Sequence, residues 1–113
     1  MTSGIRTMLY PVKDLARAKK LYGALLGVEP YVDQPYYVGF KVDDQDIGLV
    51  PHGQNGMTGP IGYYHVPAIQ ATLQKLLDGG AEAQQPVKDV GGGRLIASVK
   101  DVDGNVVGLI QDP

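Results

Sequence analysis

The side chains able to do chemistry in this chain are few, and their types narrow that chemistry at once. There are two histidines, His52 and His65, and no cysteine. Without cysteine there are no disulfides, no thiolate metal sites and no cysteine nucleophile. His65 ends the stretch "IGYYH" (61–65), where alternation puts it on the same side as Ile61 and Tyr63. An imidazole there could touch a ligand or act as acid or base near neutral pH. Equally, it could be a strand-end residue packed on a tyrosine. His52 lies in the polar, glycine-rich "PHGQNGMTGP", as a ligand contact or as an exposed loop residue. Local spacing shows no carboxylate partner for either histidine, and no motif supplies a third ligand for a two-histidine metal site.

Tyrosines are the other chemically useful group. Tyr36, Tyr37, Tyr63 and Tyr64 fall in strand-like stretches and Tyr31 just before one. A tyrosine suits a cavity wall because it joins apolar area to a polar tip. Alternation sends about half of them into the core instead. Tyr63 is the first choice for a cavity residue and Tyr37 the second; whether Tyr37 or Phe40 faces inward depends on the turn at "DDQD".

Other patterns fail on inspection. Asp101, Asp103 and Asn105 have the look of a calcium loop, but Gly104 comes too early and no Glu closes it, so the segment reads as a turn. "VGGGR" (90–94) precedes a strand rather than a helix, so no helix N-terminus backs it as a phosphate cradle. It reads as a flexible edge, with Arg94 placed either to meet an anionic ligand or simply exposed. Ser3 and Ser98 have no nucleophile elbow around them.

The elements that must position these residues follow from periodicity. The 113 residues suit one domain with one core. Hydrophobic residues make up 43% and charged residues 19%, with a net charge of −2. The basic residues are dispersed, which argues against nucleic acid as a partner. Lys13, Arg17, Lys19 and Lys20 read as the wet face of a helix. No apolar run is long enough for a signal core or a membrane span, so a cytoplasmic protein with no membrane partner is the expectation.

An internal repeat organises the chain, in modules of about 1–55 and 58–113 within one domain spanning 1–113. "TMLYPVKDLARAKKLYGALLG" (7–27) and "IGYYHVPAIQATLQKLLDGG" (61–80) both read strand, cap, helix, glycine stop. Asp14 is the expected N-cap of the first helix, whose stripe is Leu15, Ala18, Leu21, Tyr22, Leu25 and Leu26, with Gly27 to end it. The second has Pro67 near its start and the stripe Ile69, Leu73, Leu76 and Leu77, stopped by Gly79 and Gly80. Strand signals follow each helix: "YYVGFKV" and "IGLV" in the first half; "QQPVKDV", "RLIASVK" and "NVVGLI" in the second. The second half reads β-α-β-β-β and the repeat gives the first half the same order, an α+β design of cupped mixed sheets with helices outside. Gly48 and Gly108 stand in the middle of two late strands, where a glycine packs nothing and costs order. Two readings stand: they open room on a cavity floor, or they accommodate close packing.

The doubled β-α-β-β-β order, with "VKDLARAKKLYGALLG", "VPAIQATLQKLLDGGAE" and the terminal "VKDVDGNVVGLIQ", resembles the vicinal-oxygen-chelate superfamily of glyoxalases, bleomycin-resistance proteins and extradiol dioxygenases. Members cup their sheets around a cavity, where enzymes hold a divalent metal with one residue from each of four strands. By register those positions fall at Thr7, Gly48, Ile61 and Gly108, the two glycines standing where the resemblance implies carboxylates. That set offers one weak oxygen against the three or four N/O ligands required, so no metal and no cofactor are expected. The resemblance implies a small-molecule ligand (metabolite, natural product or antibiotic), a homodimer, and a site formed from Thr7, Tyr37, Gly48, His52, Ile61, Tyr63, His65 and Gly108. Bleomycin-binding relatives are acidic and aromatic-rich; a charge of −2 and no Trp disfavour bleomycin itself. The alternative implied is a lyase or isomerase using His65 or Tyr63, or a metal at a non-standard site.

Overall fold

The computed structural model describes residues 2–113, apart from the side chain of Asn55. The described residues form eight strands and two α-helices, in two compact units, Arg6–Ile61 and Gly62–Pro113, the latter with the residues up to Ile5. Among them no helix is long and apolar enough to cross a membrane.

The first unit contains β1 (Gly4–Val12, all but its first two residues), α1 (Leu15–Leu26), β2 (Val32–Gln34), β3 (Tyr37–Val42) and β4 (Gln45–Pro51). Its strands run in the order β2-β3-β4-β1, with β4 antiparallel to β3 and parallel to β1. Helix α1 begins where the sequence sets it. The Asp14 carboxylate accepts from the Arg17 N–H at 3.0 Å, satisfying one of the open donors of the first turn. It ends at Gly27, whose φ of 72° is left-handed and costs a glycine little. Leu15, Ala18, Tyr22 and Leu26 pack from α1 onto Val38, Phe40 and Leu49 of the sheet, with Tyr10, Val12 and Ile47 beside them.

The predicted helical stripe was too wide. Leu21 and Leu25 are 67% and 73% exposed. Periodicity defines an arc of a helix but not how much of it a four-stranded sheet can cover. The β3–β4 turn is also tighter than "DDQD" suggested, comprising Asp43 and Asp44 alone, with Asp43 at φ 54°. Aspartate tolerates that region better than most side chains.

The second unit holds β5 (Ile61–His65, all but its first residue), α2 (Ile69–Asp78), β6 (Glu82–Asp89), β7 (Leu95–Lys100) and β8 (Val106–Gln111). Its order is β5-β8-β7-β6, with β5 parallel to β8 and the other pairs antiparallel. Ile69 packs with Val66, Ala97 and Leu109; Tyr64, Leu73, Leu76, Val87 and Leu95 complete that core. Leu77 is half-buried outside it. Helix α2 begins at Ala68, which has no capping side chain. The cap comes instead from Gln111, whose Oε1 accepts from the Ile69 N–H at 2.8 Å. Edge strand β6 carries Pro86 and two register shifts, features that discourage further strand pairing.

Each half is thus a βαβββ module, as the repeat predicted: an α+β fold with a helix on one face of a mixed sheet.

Candidate ligand-binding faces

Each sheet has a face turned away from its helix, and alternation settles which residues stand there. In the second unit Leu109, Ala97 and Tyr64 pack under α2, so Gly108, Ile110, Ser98, Ile96, Tyr63 and His65 take the opposite face. Ile61 shares the parity of Tyr63 and His65 and is buried at the start of β5. All three therefore stand on one side of β5, as alternation predicted.

Tyr63 and Gly108 are register partners across the parallel β5–β8 pair. A Cβ at Gly108 would lie 2.5 Å from Tyr63 Cδ2 and 2.8 Å from both Cγ and Cε2. Three adjacent ring carbons at those distances place the point over the ring's face rather than its rim. The ring therefore lies on the glycine, a cross-strand aromatic–glycine pair. Burial pushes the Tyr63 phenol above its ordinary pKa of 10.0, because the phenolate would lose its hydration.

The first unit repeats the device with different atoms. Its face opposite α1 carries Thr7, Leu9, Tyr37, Gly39, Asp46 and Gly48. Phe40 points to the helix and is fully buried, so Tyr37 is the aromatic on the other side. A Cβ at Gly48 would meet Leu9 Cδ2 at 2.5 Å, Tyr37 Oη at 2.7 Å and Tyr37 Cε1 at 2.8 Å. Between the two readings of the paired glycines, close packing is the one the structure realises. Neither glycine has a positive φ, so the approach of a ring, not backbone conformation, requires its lack of a side chain.

That observation bears on the metal which the fold family implies. A carboxylate at Gly48 or Gly108 would have to pass through Tyr37 or Tyr63. Thr7, 5% exposed, offers a single hydroxyl, and Ile61 offers nothing. These residues do not fit a divalent ion. Among the described residues no group of three or more His, Asp or Glu side chains is placed to hold one elsewhere.

Three strand ends converge around His65. Because β5 runs parallel to β8, with His65 opposite Ile110, the residues following β8 reach the end of the sheet where His65 stands. Because β7 runs antiparallel to β8, with Leu95 opposite Gln111, Arg94 arrives at the same end. The result is a chain of contacts through one carboxylate: His65 Nδ1 lies 3.3 Å from Asp112 Oδ2, and Arg94 Nε lies 3.0 Å from Asp112 Oδ1. The histidine side chain is 8% exposed and the aspartate 53%. On the same face Ser98 donates to Gln84 Oε1 at 2.6 Å. The His65 carbonyl is fixed by the Thr2 hydroxyl at 2.7 Å and the Ser3 N–H at 3.0 Å.

Asp112 is the residue that local spacing could not offer, because it reaches His65 only through strand order. Asp46 was also missed. It was read as part of a turn, yet it is 7% exposed on β4, accepts from the Tyr31 hydroxyl at 3.1 Å and pairs with Lys41 at 3.7 Å. His52 stands apart. It is exposed in the turn after β4, held by its backbone N–H to the Val12 carbonyl at 2.9 Å. Arg94, read either as a contact for an anionic ligand or as exposed, has a side chain 28% exposed and paired with Asp112.

The first unit also has two surface hollows, of about 400 and 410 Å³, on its helix side. Both are lined by Lys19 and Asp33, an exposed ion pair at 2.9 Å, and neither contains a residue singled out for chemistry. They lack the converging polar groups of the face around His65.

The chain belongs to the Glyoxalase/Bleomycin resistance protein/Dioxygenase superfamily, whose sequence profile matches residues 4–109. No curated protein matches it. Among solved structures, a superfamily member from Vibrio splendidus 12B01 is 16% identical, with a TM-score of 0.73 over 99% of this chain and 100% of that one. Methylmalonyl-CoA epimerase from Mycobacterium tuberculosis is 17% identical, with a TM-score of 0.75 over 99% of this chain and 89% of that one. The Mn(II)-bound glyoxalase from Novosphingobium aromaticivorans is 18% identical, with a TM-score of 0.74 over 98% of this chain and 39% of that one. At these identities the likeness is one of fold.

Proposed function

We propose that the protein binds a small organic molecule, a metabolite, natural product or antibiotic, without a divalent metal. Its binding surface is the second unit's face bearing Tyr63, His65 and Gly108; the first unit has a face of its own built alike, bearing Thr7, Tyr37 and Gly48. The observation that carries this reading is the Tyr63 ring lying on Gly108: the family's carboxylate position is given to an aromatic group. An aromatic ring recognises an organic body by apolar area and ring contact, whereas a metal needs the oxygen that is missing. By family resemblance the working form is a homodimer.

A second reading, catalysis of the lyase or isomerase type, is favoured by one contact. A carboxylate 3.3 Å from His65 Nδ1 can orient the imidazole and stabilise its protonated form, the arrangement a general acid or base requires. Tyr63, protonated at neutral pH, would be a neutral donor beside it. Neighbours of the same fold include enzymes, so both readings lie within the superfamily's range.

A thermal-shift screen of metabolites and natural products, run with EDTA and again with Mn²⁺, tests the first reading. Stabilising compounds should act equally in both conditions and lose their effect in Tyr63→Ala. Stabilisation that appears only with Mn²⁺ would contradict it.

A further inference from the structure

We propose that His65 and Arg94 form a binding site for the carboxylate of a ligand, and that in the structure Asp112 occupies it as an internal stand-in. The proposal rests on the ligand-binding reading only in using the same sheet face, and it adds the ligand's chemical class.

The donors come from two different strands and meet on one carboxylate, His65 Nδ1 on Oδ2 at 3.3 Å and Arg94 Nε on Oδ1 at 3.0 Å. Both nitrogens are shielded from water, which strengthens the attraction of a positive group for a carboxylate relative to one in open water. The acceptor is of the opposite kind. Asp112 follows the last strand and its side chain is 53% exposed. Two shielded nitrogens, on a buried histidine and a 28% exposed arginine, facing an exposed carboxylate describe a site approached from solvent. Withdrawing Asp112 would uncover it without breaking a strand.

The neighbouring residues suggest the rest of the ligand. Ile110 is the register partner of both His65 and Ile96, so two branched apolar side chains lie beside the donors on the same face. Tyr63 stands two residues before His65 on that face, next to Gly108. The preferred ligand is therefore an organic acid with an apolar or aromatic body, and benzoate is the minimal probe.

Magnitude follows from competition. A tethered group commonly presents itself at an effective concentration in the millimolar range, so an external carboxylate must displace a local one. Removing the tethered carboxylate should raise benzoate affinity by about tenfold or more.

The test is calorimetric titration with benzoate of wild type, Asp112→Ala, Asp112→Asn and Asp112→Ala/Arg94→Gln, with circular dichroism on each. Asp112→Ala should bind benzoate at least tenfold more tightly than wild type, with the gain lost on adding Arg94→Gln. In ¹H–¹⁵N spectra of Asp112→Ala, the Arg94 Nε–H resonance should shift on titration. If Asp112→Ala unfolds, Asp112→Asn, which keeps the shape and removes the charge, takes its place with the same expected gain. Equal affinity in wild type and variant, binding by neither, or a gain that survives Arg94→Gln would overturn the proposal and leave Asp112 a structural clasp. Compounds that bind through Tyr63 while benzoate fails would overturn the carboxylate site and spare the ligand-binding reading.

Discussion

Gly108→Ala is the sharpest test of how the second sheet is built. The new Cβ would stand 2.5 Å from Tyr63 Cδ2 and 2.8 Å from two further ring carbons. Carbon pairs rest at about 3.5 Å or more, so the methyl arrives roughly 1 Å too close. Backbone conformation does not oppose the change, and loss of glycine's unfolded-state freedom would by itself favour alanine by about 0.4–1 kcal/mol. Overpacking a buried site costs about 1–3 kcal/mol, so a net destabilisation of about 1–2 kcal/mol is expected. All three nearest contacts belong to Tyr63, which allows a clean cycle. Tyr63→Ala alone should cost about 3–5 kcal/mol by leaving a void. In the double variant the added methyl meets space instead of a ring, so the costs should sum to less than their separate values by about 1–3 kcal/mol. Urea unfolding measures this through the midpoint, with an unchanged m-value showing that the denatured state is not at issue. Additivity within about 0.5 kcal/mol would refute the ring-on-glycine reasoning.

Three further expectations follow from separate contacts. Gln111→Ala removes the acceptor for the Ile69 N–H and should cost about 1 kcal/mol, with faster hydrogen exchange at Ile69 and the first turn of α2. Asp101 is held below its ordinary pKa of 3.8, chiefly by the Asn105 side-chain amide and then by the Asn105 backbone N–H. Its contribution to stability is present above that value and lost as pH falls through the lowered one, so Asp101→Ala should flatten the acid limb of unfolding curves below about pH 4. Tyr63 has the opposite sign: its raised pKa gives stability that is complete below pH 10.0 and declines as pH rises beyond it. Tyr63→Phe should remove that alkaline decline, and absorbance near 295 nm should show one fewer late-titrating phenol in the folded protein.

Local signals were legible wherever one residue answers to its near neighbours. Asp14 and Gly27 bracket α1 because a cap and a left-handed stop act within a turn. The two glycines were legible as anomalies in their strands. Why they are glycines was not legible, because the rings that need them arrive from other strands: Tyr63 from β5 for Gly108, and Tyr37 from β3 for Gly48. Leu21 and Leu25 match the helical period yet stay exposed, since an arc of apolar residues carries no record of the sheet's width. Asp112 and Gln111 show the same limit from the other direction. Both follow or end β8, and both act on residues that flank the β5–α2 connection, His65 and Ile69, which only parallel pairing brings near.

Native mass spectrometry of protein freshly purified from cells without chelator tests the central claim most directly. It reports subunit number and retained adducts in one spectrum. The account predicts a dimer that carries an organic mass and no divalent ion. One stoichiometric divalent ion per chain would contradict it, because the residues at Thr7, Gly48, Ile61 and Gly108 would then have found donors that tyrosine rings exclude.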